Sequence, residues 1–163
     1  MQRIDIKGIF PQQQPLEVEL GAGDGSFLAK YAQANPGKNF IGVERLLGRL
    51  RKIEKKGGRA GLANLRLVRI EASYFLEFLL PEKSVAALHV YFADPWPKRK
   101  HRKNRLVNER FTELVEKNLQ PRGIIFLRTD DADYFSQMTR VFDANFSFEK
   151  IETPAMLLRG AAP

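Results

Sequence analysis

The stretch Leu16-Glu-Val-Glu-Leu-Gly-Ala-Gly-Asp-Gly25 joins an apolar strand pattern to a glycine-rich turn, and a helical pattern follows from Ser26. Glycine allows the backbone to turn tightly and to approach a ligand without an interfering Cβ. The spacing G-x-G-x-G differs from the G-x-G-x-x-G fingerprint of dinucleotide-binding proteins, and the Lys-Ser/Thr pair of a P-loop is missing. The stretch therefore predicts the first strand–turn–helix unit of an α/β sheet, with a ligand at the glycines.

The acidic residue before the glycines indicates which ligand this is. Glu19 stands near the end of the predicted strand, two residues before Gly21 and four before Gly23. A carboxylate there repels a pyrophosphate and attracts a cation. S-adenosylmethionine carries a sulfonium and an α-ammonium group, so Glu19 and the two glycines favour this cofactor.

Strand and helix patterns alternate along the rest of the chain. The predicted strands cover residues 16–20, 39–43, 65–70, 85–93, 123–129 and 146–151. The predicted helices cover residues 26–35, 46–56, 73–80, 106–119 and 131–144, and Gly57-Gly58 is expected to end the second of them. This alternation predicts an α/β, doubly wound, mostly parallel Rossmann-like sheet with helices on both faces.

Acidic residues mark the ends of five successive predicted strands. Glu44, Glu71, Asp94 and Asp130 stand at or just after the ends of the next four strands, as Glu19 stands near the end of the first. Open α/β sheets bind ligands outside the carboxyl ends of their strands, at the point where the strand order reverses. A carboxylate at Glu44 can accept hydrogen bonds from both hydroxyls of a ribose. These residues predict a methyltransferase site at this edge of the sheet.

Composition excludes several kinds of chemistry. The 163 residues include no cysteine and two histidines. The lack of cysteine excludes disulfides, thiolate metal sites, cysteine nucleophiles and cluster-based radical use of S-adenosylmethionine. Two histidines are too few for a typical histidine metal site. No apolar run is long enough to span a membrane, and the N-terminus lacks a signal-peptide pattern. We expect one domain over residues 1–163, without a bound metal, in the cytoplasm.

The net charge of +8 and pI of about 9.9 favour a polyanionic partner. One basic cluster directly follows Asp94-Pro-Trp-Pro97, a loop that two prolines make rigid. A carboxylate, an aromatic ring and a basic run together favour an RNA base pocket with phosphate contacts. All six of its cations are expected to meet phosphates: Lys98, Arg99, Lys100, Arg102, Lys103 and Arg105.

A second basic cluster lies on the predicted helix 46–56 and just after it. It contains Arg49, Arg51, Lys52, Lys55, Lys56 and Arg59. A solvated helix face and a nucleic-acid contact explain this cluster equally well.

The segment Asp94-Pro-Trp-Pro-Lys-Arg-Lys-His-Arg-Lys-Asn-Arg-Leu-Val107 resembles the signature of the bacterial tRNA (guanine-N7-)-methyltransferases, which methylate a variable-loop guanine. The glycine stretch and Phe40-Ile-Gly-Val-Glu44 resemble the cofactor motifs of that family, and Leu127-Arg-Thr-Asp130 resembles its substrate-contacting Thr-Asp. The resemblance covers residues 15 to 135. It implies the class I methyltransferase fold, S-adenosylmethionine as cofactor and tRNA as partner.

The same resemblance implies roles for single residues. Glu19, Glu44, Glu71 and Asp94 line the cofactor site in this interpretation, and Asp94 is also the catalytic residue. Glu71 stands where the family usually has Asp or Asn.

Further implied roles concern the substrate and the C-terminus. Lys98 and Asp130 are expected to contact tRNA. Thr153, in Thr153-Pro-Ala-Met156, is a degraded counterpart of a family Thr-x-Phe-Glu motif and is expected to contact substrate. The strand order is expected to be 3-2-1-4-5, with strand 146–151 beside the fifth. The C-terminus is shorter than is usual in the family, so only residues 155–159 are left for a seventh strand.

Two alternative functions follow from the same residues. Methyltransferases that act on the amino group of adenine or cytosine use an Asp/Asn-Pro-Pro-aromatic motif at this strand end, and Asp94-Pro-Trp-Pro97 is a permuted form of it. A non-catalytic RNA-binding module that keeps the fold is the second alternative. Analysis of the methylated RNA product separates these functions.

Overall fold

A computed structural model describes residues 2–152 and residue 154, and its strands form a five-stranded parallel sheet in the order β3-β2-β1-β4-β5. This confirms the predicted order. The strands are β1 Leu16–Leu20, β2 Asn39–Val43, β3 Leu65–Val68, β4 Val85–Tyr91 and β5 Leu119–Arg128. The chain winds outward from β1 to β3 and then returns to pair β4 with β1. The reversal of strand order lies between β1 and β4, where open α/β sheets bind ligands.

Helices cover both faces of the sheet, as the alternation predicts. In chain order they are α1 Ile6–Ile9, α2 Ser26–Ala34, α3 Leu47–Arg59, α4 Ala72–Tyr74, α5 Glu109–Asn118 and α6 Ala132–Asp143. A π-helix over Phe75–Leu79 extends α4, and a 3-10 helix covers Arg99–Asn104. One apolar core contains side chains of α2 and α3, and the larger core on the other face contains side chains of the π-helix, α5 and α6.

The central strand β1 is buried along its whole length. Val18 and Leu20 point into the larger core, so Glu17 and Glu19 point to the opposite face, which α2 covers. Burying an apolar side chain such as Val18 contributes about 1.5–3 kcal/mol, whereas burying a carboxylate costs free energy unless a partner compensates. Two acidic residues in such a strand therefore indicate a function or a specific pairing.

The glycine turn is locked against α3. Gly25 precedes α2 with φ 74°, and a Cβ at this position would lie 2.7–3.0 Å from side-chain atoms of Ile53. Lys56 of α3 reaches back to Asp24 (3.0 Å) and to the Ser26 hydroxyl (2.9 Å). The turn and α3 therefore pack as one unit.

Residues 146–151 do not form the predicted sixth strand. Asn145 makes a turn instead, because its side chain accepts from Ser147 N (3.0 Å) and its carbonyl accepts from Phe148 N (3.1 Å). Ser147 Oγ also donates to Glu116 in α5 (2.7 Å), which ties the turn to that helix. The predicted seventh strand, residues 155–159, lies outside the described residues.

Helix α3 also differs from its prediction, because it runs through Gly57 and Gly58 to Arg59. Gly57 is buried against β3, where an added Cβ would lie 3.1 Å from Leu65 Cδ2. Tertiary packing therefore outweighs the low helix propensity of glycine. Within residues 2–152, no helix has the length and apolar character needed to cross a membrane.

Candidate active site

The strand-end carboxylates lie at one edge of the sheet because all five strands are parallel. Glu19 is the fourth residue of β1, and Glu44 directly follows β2. Glu71 and Asp94 follow β3 and β4 by three residues each, and Asp130 follows β5 by two. The edge therefore carries an acidic residue at every strand, but of these five only Glu19 and Glu44 are buried.

Backbone hydrogen bonds attach the glycine turn to the end of β2. Gly21 N and Ala22 N both donate to the Val43 carbonyl, at 2.8 and 3.0 Å. Gly21 has φ 74° and Gly23 has φ 58°, the left-handed conformation that other residues adopt only with strain. An ideal Cβ at Gly21 would have no atom within 4 Å, so the space beside this turn is open.

Glu44 holds the turn in place from β2. Its carboxylate is buried and accepts from Gly23 N (3.1 Å) with one oxygen and from Leu46 N (2.8 Å) with the other. A carboxylate oxygen has two lone pairs, so each oxygen can accept one more hydrogen bond. Glu44 therefore shapes the glycine turn and also keeps acceptor capacity for a ligand.

Glu19 is the buried acceptor of the site. It is 4% exposed, and its Oε2 has no hydrogen-bond partner in the described part of the chain. Burial and the nearby carboxylates of Asp24 and Glu44 raise the pKa of Glu19 to about 8. An unpartnered buried carboxyl with a raised pKa is typical of a ligand site, because a cation there satisfies the oxygen and favours its charged form.

A buried polar network below Glu19 is one feature that sequence reasoning missed. Glu17 accepts from Lys38 Nζ (2.6 Å) and lies 2.7 Å from His89 Nε2, while His89 Nδ1 lies 2.8 Å from the Tyr91 hydroxyl. Burial alone raises the pKa of Glu17, but the hydrogen bonds and charges of His89 and Lys38 outweigh burial and lower it. The repeat Glu-x-Glu in a buried strand is the signal that two acids share one face.

Glu71 has a structural task in this state. It is the N-cap of α4, and its two carboxylate oxygens accept from Ser73 N (3.0 Å) and Tyr74 N (2.9 Å). The side chain is exposed at the same edge as Glu44. The resemblance implies a cofactor contact for Glu71, and that role stays a prediction.

The loop after β4 presents Asp94 to solvent between two strained residues. Phe92 has φ 54° and Trp96 has φ 45°, and Asp94 is exposed. Each non-glycine residue in this region costs about 1–3 kcal/mol, so the surrounding structure must hold the loop in place.

Arg105 is the anchor of this loop, which corrects its predicted role as a phosphate contact. It is 2% exposed, and its guanidinium donates to the Pro95 carbonyl (2.6 Å), Gln137 Oε1 (2.9 Å) and Asp133 Oδ2 (2.6 Å). It also lies over the Tyr134 ring, 4.9 Å from the centroid. Its partners in α6 lie about thirty residues further along the chain, so the basic run alone gave no sign of this burial.

The remaining cations of the loop are on the surface. Arg102 pairs with Asp133 (3.1 Å), and the other cations, Lys98, Arg99, Lys100 and Lys103, are exposed. His101 lies edge-on to Trp96, with 6.0 Å between ring centroids. The loop therefore offers a carboxylate, an indole and an exposed basic 3-10 helix together.

Two predicted substrate residues remain. Asp130 is exposed in the turn before α6, and its neighbour Asp131 caps that helix by accepting from Tyr134 N (2.7 Å). Thr153 lies outside the described residues. Both substrate roles stay predictions.

Comparisons with known proteins agree with this geometry. Residues 13–162 match the family described as "Putative methyltransferase". A tRNA (guanine-N(7)-)-methyltransferase of Chromohalobacter salexigens is 38% identical over 141 residues, which are 86% of this chain and 57% of that protein. The chain thus spans little more than half the length of this curated relative.

Solved structures show the same fold. Precorrin-6y C5,15-methyltransferase from Geobacter metallireducens matches with a TM-score of 0.65 over 85% of this chain and 66% of that chain, at 18% identity. An S-adenosylmethionine-dependent methyltransferase from Geobacter sulfurreducens, in complex with S-adenosyl-L-homocysteine, matches with a TM-score of 0.52 over 69% of this chain and 41% of that chain, at 18% identity. The fold is that of the class I S-adenosylmethionine-dependent methyltransferases, and the chain belongs to the methyltransferase family that its residues 13–162 match.

Proposed function

We propose that the protein transfers a methyl group from S-adenosylmethionine to N7 of a guanine in the variable loop of tRNA. The observation that carries the proposal is the position of the acidic glycine turn beside the Asp94-Pro-Trp-Pro97 loop and its basic 3-10 helix. The name of the relative from Chromohalobacter salexigens gives methylation of guanine N7 in tRNA, and a solved neighbour of the same fold holds S-adenosyl-L-homocysteine.

The residues at the glycine turn fit the cofactor. The unpartnered Glu19 Oε2 suits an ammonium group, and the open space beside Gly21 lets a ligand lie against the backbone. Glu44 has lone pairs left for ribose hydroxyls. When bound, S-adenosylmethionine supplies an electrophilic methyl group on a sulfonium. Glu19, Gly21, Gly23 and Glu44 hold and orient it in this proposal, and Glu71 is a further candidate contact.

The protein's task towards guanine is positioning. Guanine N7 has an in-plane lone pair and no proton at neutral pH, so the reaction needs no general base. The exposed Asp94 carboxylate can accept hydrogen bonds from the N–H groups of the guanine, which orients the ring and raises its electron density. Trp96 offers an aromatic face for stacking. Lys98, Asp130 and Thr153 are the proposed tRNA contacts.

A methyl-transfer assay on bulk tRNA that lacks N7-methylguanine tests the proposal. We expect radiolabelled methyl to enter the tRNA and nucleoside analysis to recover it as N7-methylguanosine. Methyl on an exocyclic amino group would replace the proposal with the first alternative. Binding of tRNA without any transfer would leave the non-catalytic RNA-binding module. A tRNA substrate also supports a cytoplasmic location, and residues 1–163 are proposed as one methyltransferase domain.

A further inference from the structure

Helix α3 carries a set of cations that the proposed chemistry does not use. The α3 basic surface consists of Arg45, two residues before the helix, and of five residues on it, all of them exposed: Arg49, Arg51, Lys52, Lys55 and Arg59. Within residues 2–152 and 154, none of these six lies within 4.0 Å of an acidic side chain. Lys56, also in α3, does form an ion pair, with Asp24.

This pattern differs from that of an ordinary solvated helix. Helix α3 has six basic residues and one acidic residue, Glu54, in its thirteen positions. Arg51 and Lys55, like Lys55 and Arg59, are like charges four residues apart, a spacing that destabilises an isolated helix. In α5, by contrast, acidic and basic residues alternate, and Arg110 and Lys117 pair with Glu77 and Glu82. The repulsion along α3 is relieved when a polyanion binds.

The position of α3 indicates which polyanion this is. The helix begins three residues after Glu44 and is about 20 Å long, and it lies on the β2 and β3 side of the sheet. The Asp94 loop follows β4, which is two strands away from β2, about 10 Å. A ligand that fills the site at Asp94 and also covers α3 must reach across this distance and carry several negative charges along its length, as an RNA backbone does.

A membrane surface fits α3 less well. An interfacial helix inserts an apolar face into the lipid, but Ile53 and Gly57 of α3 are buried against the glycine turn and β3. The helix surface that remains is mostly charged, which suits phosphates of a nucleic acid backbone.

We infer that the α3 basic surface is a second RNA contact, which binds the phosphate backbone of the substrate away from the methylated base. The inference rests on the proposed tRNA substrate and extends it, because it assigns RNA affinity to a helix outside the Asp94 loop. Such contacts position the RNA and carry no sequence information.

The test compares two variants that each remove two positive charges. Lys52→Gln/Lys55→Gln changes the middle of α3 and keeps a good helix former at both positions. The matched control, Lys7→Gln/Lys117→Gln, removes two exposed lysines from α1 and α5. Binding of unmodified bulk tRNA is measured over a range of salt concentrations, together with S-adenosylmethionine affinity and circular dichroism.

The α3 variant is expected to flatten the plot of log K against log salt by about 1.4 to 1.8, the effect of two lost phosphate contacts. This corresponds to roughly 15- to 30-fold weaker tRNA binding at 0.15 M salt. Cofactor affinity, helix content and single-turnover transfer at saturating tRNA should not change. Guanosine 5′-monophosphate should bind both variants equally, because its single phosphate cannot contact the Asp94 site and α3 at the same time.

Three results would overturn the inference: equal salt slopes in the two variants, a loss of affinity for guanosine 5′-monophosphate in the α3 variant as large as its loss for tRNA, or loss of binding to phosphatidylserine vesicles with tRNA binding intact. The proposed function fails separately. If the α3 variant binds tRNA more weakly than the unchanged protein, but the unchanged protein yields no N7-methylguanosine, the RNA contact on α3 is retained and the proposed activity is rejected.

Discussion

Replacing Arg105 by lysine keeps a positive charge below the Asp94-Pro-Trp-Pro97 loop but removes the planar fork that holds it. The guanidinium donates to three acceptors at once, the Pro95 carbonyl, Gln137 Oε1 and Asp133 Oδ2. An ammonium group is a single point of charge and cannot reach all three in the same geometry. Arg105→Met removes all three contacts at similar side-chain length.

The cost follows from the surroundings of each acceptor. The Pro95 and Gln137 acceptors are part-buried, and leaving such a group without a partner costs about 1–3 kcal/mol. The Asp133 side chain is 48% exposed, so water can replace the guanidinium there at little cost. We therefore expect Arg105→Met to lower the free energy of unfolding by about 2–6 kcal/mol, and Arg105→Lys to lower it by about half as much.

The loop should also lose its active geometry. Without the anchor, the strain at Phe92 and Trp96 can relax, and the position of Asp94 relaxes with it. Denaturant unfolding and single-turnover methyl transfer, both performed on Arg105→Lys, measure the two effects. The matched control is Lys103→Gln, an exposed change in the same run, which should alter the salt dependence of tRNA binding and leave stability intact. The anchoring role would be refuted if Arg105→Lys kept the stability and the transfer rate of the unchanged protein. It would also be refuted if Arg105→Met flattened the salt dependence of tRNA binding as much as Lys103→Gln does.

Three further predictions concern the site. Because burial raises the pKa of Glu19 to about 8, the native state holds a proton that the unfolded state loses near pH 4.5, so the free energy of unfolding of the free protein should fall as pH rises between about 5 and 8. Glu19→Gln should flatten this dependence in denaturant titrations across that range, and identical slopes would remove Glu19 as its source. Asp94→Ala should slow single-turnover methyl transfer by at least about a hundredfold while tRNA binds within a few-fold of normal, since phosphate contacts dominate affinity; a normal rate would contradict the catalytic role. Neutralising Lys100 and Lys103 should flatten the salt slope of tRNA binding by about one to two units with cofactor affinity unchanged, and an unaltered slope would return both lysines to a solvated face.

The sheet could be predicted because its determinants are local. Each strand and helix has its own periodicity, and alternation with short connections leaves few arrangements other than a parallel sheet. Glu19, Glu44 and Asp94 reach the same edge as a consequence of that topology, so their grouping needed no knowledge of side-chain packing. Their individual roles in binding and catalysis stay predictions that the experiments above address.

The errors arose where distant contacts decide the local structure. The sequence predicts a helix end at Gly57, but this residue lies within α3 because β3 packs against it. Phe146 and Phe148 alternate as in a strand, yet the Asn145 side chain and Glu116 of α5 hold this segment in a turn. In the sequence, Arg105 is the last residue of a basic run, but its partners Asp133 and Gln137 belong to α6. Except for the local hydrogen bonds of Asn145, no window of neighbouring residues contains both sides of these contacts.

Trp96 is the only tryptophan of the chain, and it stands in the loop that carries Asp94. Indole fluorescence depends on its surroundings, so the emission of the unlabelled protein reports on this loop alone. Stacking of a base on the ring should quench the signal. The protein therefore contains its own optical probe, with which arrival of RNA at the loop can be timed separately from methyl transfer.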